Sequence, residues 1–327
     1  MGSKLFGVDF GTNSIKIYQK GSGVMYDQRS VLAMKGNNYI AIGDDAYNMY
    51  GKAPEYINIE FPVKNGVVAS VDKMLALMNC IFMDMTKTFG KMKHSTFYLC
   101  VPADITDVEK KAFYDIIDKS YIRPKKIYMV DKPISDAYGL GIDIENCQGV
   151  LLIDMGSDTT EISVLANGGI VISRLIPIGG RTVDDAIIMH LRRQHNIIIG
   201  DKSAEVIKKK VAALNDTSKD CKVYGRDIVS GLPVEKNVNS LEIRPVISEV
   251  INQIINNVKM ILEKTPPEIS ADIFKNGMYL VGGSSKINGI DEYIEDSTRL
   301  KVALTPDPSG CAVSGLGVIM EDGSYFK

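Results

Sequence analysis

A short acidic turn occurs twice in this chain. Val8-Asp9-Phe10-Gly11-Thr12-Asn13-Ser14 recurs as Ile153-Asp154-Met155-Gly156-Ser157-Asp158-Thr159, and at the same offset Ile17 falls opposite Ile162 and Gly23 opposite Gly168. Each copy reads as a strand, a tight polar turn, a second strand, another turn and a third strand, the last being Val24-Met25 and Ile170-Val171-Ile172. Two such meanders at one fixed spacing predict a duplication, each half opening on a hairpin. A chain of 327 residues has room for two lobes.

The turn has the right chemistry for a metal-bound phosphate. Glycine lets the backbone approach, amide N–H groups and small hydroxyls meet phosphate oxygens, and the aspartate faces the water shell of a cation. A single Asp-x-Gly-Thr would be read as an ordinary β-turn. A second copy changes that, because two such turns facing each other would hold a phosphate chain from both sides. A third element, Tyr279-Leu280-Val281-Gly282-Gly283-Ser284-Ser285, sets a glycine pair between a buried strand and a helix, where it can lie flat against a nucleoside.

Between these elements helices and strands alternate, predicting an α/β fold. Val71–Lys87 carries Met74, Leu75, Met78, Ile81 and Phe82 on one stripe. Phe97–Val101 and Ile127–Val130 read as strands. Thr106 and Glu109 predict a capping box, opening a helix whose apolar face is Val108, Ala112, Phe113, Ile116 and Ile117. Further helices are expected near Val183–Gln194 and Ala204–Leu214, then a long one from Pro245 to Pro266, with Met278–Val281 as the final strand.

The bulk numbers exclude other classes. A net charge of −2 lacks the basic excess of a generic nucleic-acid binder, so no nucleic-acid partner is expected. The five cysteines are scattered without a CxxC pair, as reduced thiols are, and form neither a disulfide framework nor a zinc site. Three histidines, His94, His190 and His195, leave little material for His-based catalysis or metal binding. Neither a secretory signal nor an apolar run of membrane-spanning length is read, so a cytoplasmic location is expected.

Taken in order, the two hairpins, the glycine loop and the helices between them resemble the actin, Hsp70 and sugar-kinase superfamily. Within it the chain is similar to the bacterial actins of the MreB family. The matching segments include Val8–Ile17, Ala41–Ala46, Pro62–Val67, Cys100–Pro102, Thr106–Ala112, Ser173–Gly180, Gly225–Pro233, Leu262–Glu268 and Cys311–Gly317. The resemblance implies an actin-like, duplicated RNase H-like fold with four subdomains around a nucleotide cleft. These would be residues 1–30 and 62–141 (IA), 31–61 (IB), 142–181 and 246–327 (IIA), and 182–245 (IIB). It implies ATP or ADP with Mg²⁺, the ion held through water by Asp9 and Asp154. Gly11, Thr12, Asn13, Gly156, Ser157, Asp158, Gly179 and Gly180 would line the phosphates, with Gly282, Gly283 and Ser284 under the adenosine. Glu205 and Lys208 match the segment whose acid binds ribose, although without the resemblance they read as an i,i+3 surface pair. Thr159 stands where the family orients the attacking water.

Two positions depart from the family. Lys132, in Asp131-Lys132-Pro133, occupies the place of the glutamate that positions the hydrolytic water. A charged ammonium has three donors and no acceptor, so it cannot orient water as a carboxylate does. Slow or weak ATP hydrolysis is therefore expected, with Asp131 as the neighbouring carboxylate that could substitute. Asp158 replaces a glycine and would repel a γ-phosphate unless neutralised. Either it pairs with Lys132 across the cleft, or the two changes are independent.

The family implies a self-assembling filament, with paired protofilaments and paralogues as further partners, acting in cell shape, or in motility in a wall-less cell. The loop Thr88–His94 either dips Phe89 and Met92 into an anionic membrane face, which would make the protein peripheral on the inner membrane, or is an ordinary solvated loop. The rival readings are a small-molecule kinase and an Hsp70-like ATPase. The first needs a catalytic acid and substrate insertions, and the second a peptide-binding domain after the lobes. Neither feature is read before the chain ends at Lys327.

Overall fold

The computed structural model describes residues 4–323, and the chain divides into two compact units. The first takes in the chain up to Cys147, the stretch Ala166–Leu175 and the chain from Ser309 onward. Its elements are β1 (Leu5–Phe10), β2 (Ser14–Gln19), β3 (Gly23–Arg29), β4 (Leu32–Lys35), β5 (Asn38–Ile42), α1 (Gly43–Met49), β6 (Ile57–Glu60), β7 (Val63–Lys64), β8 (Val67–Val68), α2 (Val71–Phe89), β9 (Thr96–Val101), α3 (Asp107–Asp118), β10 (Lys126–Asp131) and α4 (Lys132–Gly139). A five-stranded sheet runs β10-β9-β1-β2-β3, with β1, β9 and β10 parallel and the β1–β2–β3 meander antiparallel. A small antiparallel sheet, β5-β4-β6, stands apart from it.

Burial of one helical stripe drives the packing. Met74, Leu77, Met78, Ile81, Phe82 and Met85 of α2 meet Phe6, Val8, Phe97 and Leu99 of the sheet. Leu75, expected on that stripe, lies at its margin, and Leu77 and Met85 complete it. In α3 the capping box forms with both reciprocal bonds, and Phe113, Ile116 and Ile117 are buried. Val108, assigned from spacing to the same face, is 79% exposed. At 3.6 residues per turn it points well away from the direction shared by Phe113, Ile116 and Ile117, and so faces solvent.

The second unit carries β11 (Val150–Met155), β12 (Thr160–Ala166), α5 (Gly180–His195), β14 (Ile197–Ile198), α6 (Asp201–Val211), β15 (Asp220–Asp227), β16 (Pro233–Asn239), α7 (Ser240–Lys264), α8 (Pro267–Asn276), β17 (Met278–Val281), α9 (Ile290–Thr298) and β18 (Val302–Leu304), with β13 (Gly169–Ile176) following β12 in sequence. β11 pairs antiparallel with β12 and parallel with β17, which pairs parallel with β18. This is the wiring of β2-β1-β9-β10 repeated, so the duplication in sequence is a duplication in topology.

Two expectations change here. The long helix begins at Ser240, five residues before Pro245, because the Asn239 side chain caps it by accepting from Leu241 N at 2.8 Å. The C-terminal helix α10 (Cys311–Asp322), placed by sequence with the second half, groups with the first unit. It lies against α4, where a Cβ on Gly139 or Gly315 would strike the opposing helix backbone, and Ser135 Oγ donates to the Ala312 carbonyl at 2.7 Å. Only glycine permits that approach.

Candidate functional site

In the first unit, strand register brings the chemistry to one edge. Asp9 is level with Cys100 on β9, and Cys100 is level with Val130 on β10. Asp131 therefore lies one residue beyond that row, and Lys132 opens α4. All of them are at the carboxyl ends of parallel strands, where open α/β sheets take their ligands. Asp9 is buried. At Gly11 a Cβ would lie 2.5 Å from the Ser14 carbonyl oxygen, so the turn requires glycine there. Thr12 is half-buried and Asn13 exposed. The Asn13 carbonyl accepts from Ser30 N at 3.0 Å and its Oδ1 accepts from Arg29, whose guanidinium lies 4.1 Å from the Tyr47 ring centre.

Lys16, which the sequence reading passed over, is paired directly across from Asp9, buried, and bonded to Ser14 Oγ at 2.8 Å. Counting back from the turn would have found it. Asp131 is held by Lys110 at 3.1 Å and is half-buried, as is Lys132.

In the second unit the expected residues converge tightly. Asp154 is level with Val281, so Gly282 begins immediately beside the carboxylate. Gly282 has φ +83, and a Cβ there would clash with Asp154 and lie 2.5 Å from the Met155 carbonyl oxygen. Of the glycine pair only this one is sterically required, since Gly283 has open space around its Cβ position. Ser284 Oγ donates to the Gly156 carbonyl at 2.8 Å, and Gly156 N donates to the Thr159 carbonyl at 2.9 Å, closing the acidic turn.

The N-terminus of α5 is tied to the same turn. Gly180 N donates to the Gly156 carbonyl at 3.0 Å and Arg181 N to the Ser157 carbonyl at 2.7 Å. A Cβ on Gly179 would lie 2.6 Å from the Ser157 carbonyl oxygen, and one on Gly180 would lie 2.7 Å from Ser284 Oγ and 3.0 Å from Lys208 Nζ. A helix start, with its positive dipole end, thus adjoins the acidic turn, an arrangement suited to an anion.

Asp158 is buried and meets Arg181 at 3.3 Å, so a cation in its own unit offsets the charge that would repel an anion. Lys208 bridges Asp184 and the Gly180 carbonyl, both at 2.8 Å, while Glu205 pairs with Lys209 at 2.7 Å. Both differ from a simple i,i+3 pair. Burial pushes Asp184 up to about 6, against the downward pull of Lys208. Arg181 and Asp184 carried no motif signal in the sequence.

The loop after α2 presents only one of its two apolar residues to solvent. Met92 is buried in the core of the first unit at 1% exposure, whereas Phe89 is 41% exposed. The loop offers one apolar tip, not two, because the chain folds Met92 back onto the α2 side of the sheet. No helix among the described residues is long and apolar enough to cross a membrane.

Comparison with known proteins bears on the whole chain. Residues 3–327 match the model of the family described as MreB/Mbl protein. The chain is 33% identical over 320 residues to the cell shape-determining protein Mbl of Bacillus subtilis, covering 97% of this chain and 95% of that protein. It is 31% identical over 333 residues to the cell shape-determining protein MreB of Escherichia coli, covering 96% and 92%. MreB5 of Spiroplasma citri bound to ADP superposes with a TM-score of 0.93 at 34% identity, covering 98% of this chain and 97% of that one. The same protein bound to AMPPNP gives 0.93 at 33% identity.

Proposed function

The chain belongs to the MreB/Mbl family, and from that premise we propose that it is an ATP-binding, actin-like cytoskeletal protein that assembles with copies of itself into filaments serving cell shape or motility. The observation that carries the reading is the convergence of Asp154, Gly156, Gly180, Gly282 and Ser284 on one acidic turn, with the Asp9 turn at the equivalent place in the duplicated wiring. The nucleotide-bound relative supports ATP and ADP as ligands.

Gly11, Thr12 and Asn13 in the first unit, and Gly156, Ser157, Asp158, Gly179 and Gly180 in the second, are the phosphate-lining groups of this reading. Gly283 and Ser284 face the adenosine, and Glu205 the ribose. The residues fit Mg²⁺, since Asp9 and Asp154 are buried hard-oxygen donors at the ends of their strands. The ion would offset charge on the phosphates, held through water by these two carboxylates. Thr159 orients the attacking water, but Lys132 supplies no acceptor and Asp131 is engaged by Lys110, so hydrolysis is slow. Location is the cytoplasm, with Phe89 as the single apolar contact to an anionic membrane face. Paired protofilaments and copolymers with paralogues are the assembly forms expected.

Calorimetry with ATP and ADP, together with light scattering and phosphate release, tests this. Binding of both nucleotides, ATP-dependent scattering and slow release are expected. No heat with either nucleotide overturns the assignment.

A further inference from the structure

The chain has three histidines, and the fold brings two of them to one carboxylate. His190 and His195 lie on α5, and Glu242 is the third residue of α7, which packs along it. His190 Nε2 is 3.4 Å from Glu242 Oε1, and His195 Nε2 contacts that same oxygen. One ligand atom from each residue lies within 4.8 Å of the other two. The imidazole planes cross at 77°, so the rings converge on the carboxylate and do not stack. Burial opposes ionisation of Glu242, but hydrogen bonding and charge from the two histidines outweigh it and hold the carboxyl below its ordinary range.

An ion pair between helix ends explains part of this. His195 closes α5 and Glu242 sits in the first turn of α7, each on the side its helix dipole favours. That leaves His190 unexplained. Its Nε2 is buried and reaches only the oxygen that His195 already holds, at 3.4 Å and outside good hydrogen-bond geometry. A buried imidazole nitrogen so loosely satisfied is costly. A metal ion between the three groups would remove the cost.

We propose that His190, His195 and Glu242 form a binding site for a divalent transition ion of the zinc class, with two imidazole nitrogens, one carboxylate oxygen and a fourth position open to water. Ligand bonds of about 2.0–2.2 Å at tetrahedral angles place ligand atoms roughly 3.4 Å apart, the separation His190 Nε2 and Glu242 Oε1 already have, while His195 and Glu242, now in direct contact, would open to admit the ion. Imidazole donors select this class over Mg²⁺, which takes oxygen. The ion would lock α5 to α7 at the far end of the helix whose first residues, Gly180 and Arg181, bond to the acidic turn. The site stands independently of nucleotide binding.

The full chain, stripped with a chelator, is titrated with Zn²⁺ by calorimetry and with Co²⁺ by visible absorption. One equivalent should bind, with cobalt d–d bands and no thiolate charge-transfer band. His190→Gln and Glu242→Gln should each weaken binding by at least about tenfold, and His94→Gln should not. In the wild-type protein, Zn²⁺ should protect His190 and His195, but not His94, from diethyl pyrocarbonate, read by mass spectrometry. This arm holds even where a variant fails to fold. Unchanged affinity in folded variants, a thiolate band or absence of protection overturns the site.

Discussion

Lys208 Nζ lies 2.8 Å from the Asp184 carboxylate and 2.8 Å from the main-chain carbonyl of Gly180, joining α6 to the first turns of α5 through one ammonium group. The lysine thereby fixes the start of α5. Asp184 is mostly desolvated, and its Oδ1 is buried without a hydrogen-bond partner among the described residues. Burial raises its pKa from 3.8 to about 6 even with Lys208 beside it.

The sign of the resulting pH dependence follows. The folded state holds the Asp184 proton more tightly than the unfolded chain does, so this residue's contribution is fully present below about pH 3.8 and is lost as pH rises through about 6. Urea unfolding of wild type and Asp184→Asn across pH 4 to 8 isolates it. The wild-type-minus-variant stability should fall between about pH 4 and 6 and flatten above about 7. A difference that stays level or rises across that window contradicts the assignment.

Lys132 stands where an acceptor for the hydrolytic water is expected. Lys132→Glu restores a carboxylate at the first residue of α4, where the helix dipole favours an anion. Phosphate release per filament subunit should rise at least about tenfold, with nucleotide affinity changed much less. Equal rates in variant and wild type would leave Lys132 with no part in setting turnover.

The loop after α2 separates two roles. Met92→Ser removes a core side chain and should cost about 3 kcal/mol, seen as a lower urea midpoint. Phe89→Ser alters an exposed tip, so its stability should stay within roughly 0.5 kcal/mol of wild type. Any membrane affinity should then disappear in Phe89→Ser alone, measured by sedimentation with anionic liposomes. Identical sedimentation of wild type and Phe89→Ser would exclude this tip as a contact.

These cases show what the sequence could and could not convey. Local rules read well: Thr106 and Glu109 form the box that their spacing predicts, and the β1–β2 and β11–β12 hairpins follow from repeated turn chemistry. Grouping by residue type failed at Val108, which is apolar but lies around the helix from Phe113, Ile116 and Ile117 and is exposed. Met92 was misjudged because its neighbours Lys91 and Lys93 mark the segment as polar, while burial depends on where the loop returns. That Gly282 and Ser284 come beside Asp154 and Gly156 follows from the order of turn, strand and glycine loop. Arg181, Asp184 and the His190–His195–Glu242 group were not legible that way, since each depends on contacts between segments separated in sequence.

The adjacent glycines of the last loop make the sharpest test, because the two have different physical reasons to be glycine. Gly282 needs φ +83 and has the Asp154 carboxylate and Met155 carbonyl where a Cβ would go. Alanine there meets both the cost of a positive-φ, extended-ψ backbone all but reserved to glycine, about 1–3 kcal/mol, and a clash that displaces Asp154. Gly282→Ala should therefore lower both thermal stability and nucleotide affinity. Gly283 is exposed with open space around it, so alanine leaves the fold undisturbed and can matter only to something lying on the loop. Gly283→Ala should keep the wild-type unfolding midpoint while weakening ATP binding by roughly tenfold or more, through a methyl group set against the base. Calorimetry and thermal unfolding on both variants distinguish the two. If Gly283→Ala binds ATP as wild type does, the loop is not the nucleoside platform, whatever Gly282→Ala shows.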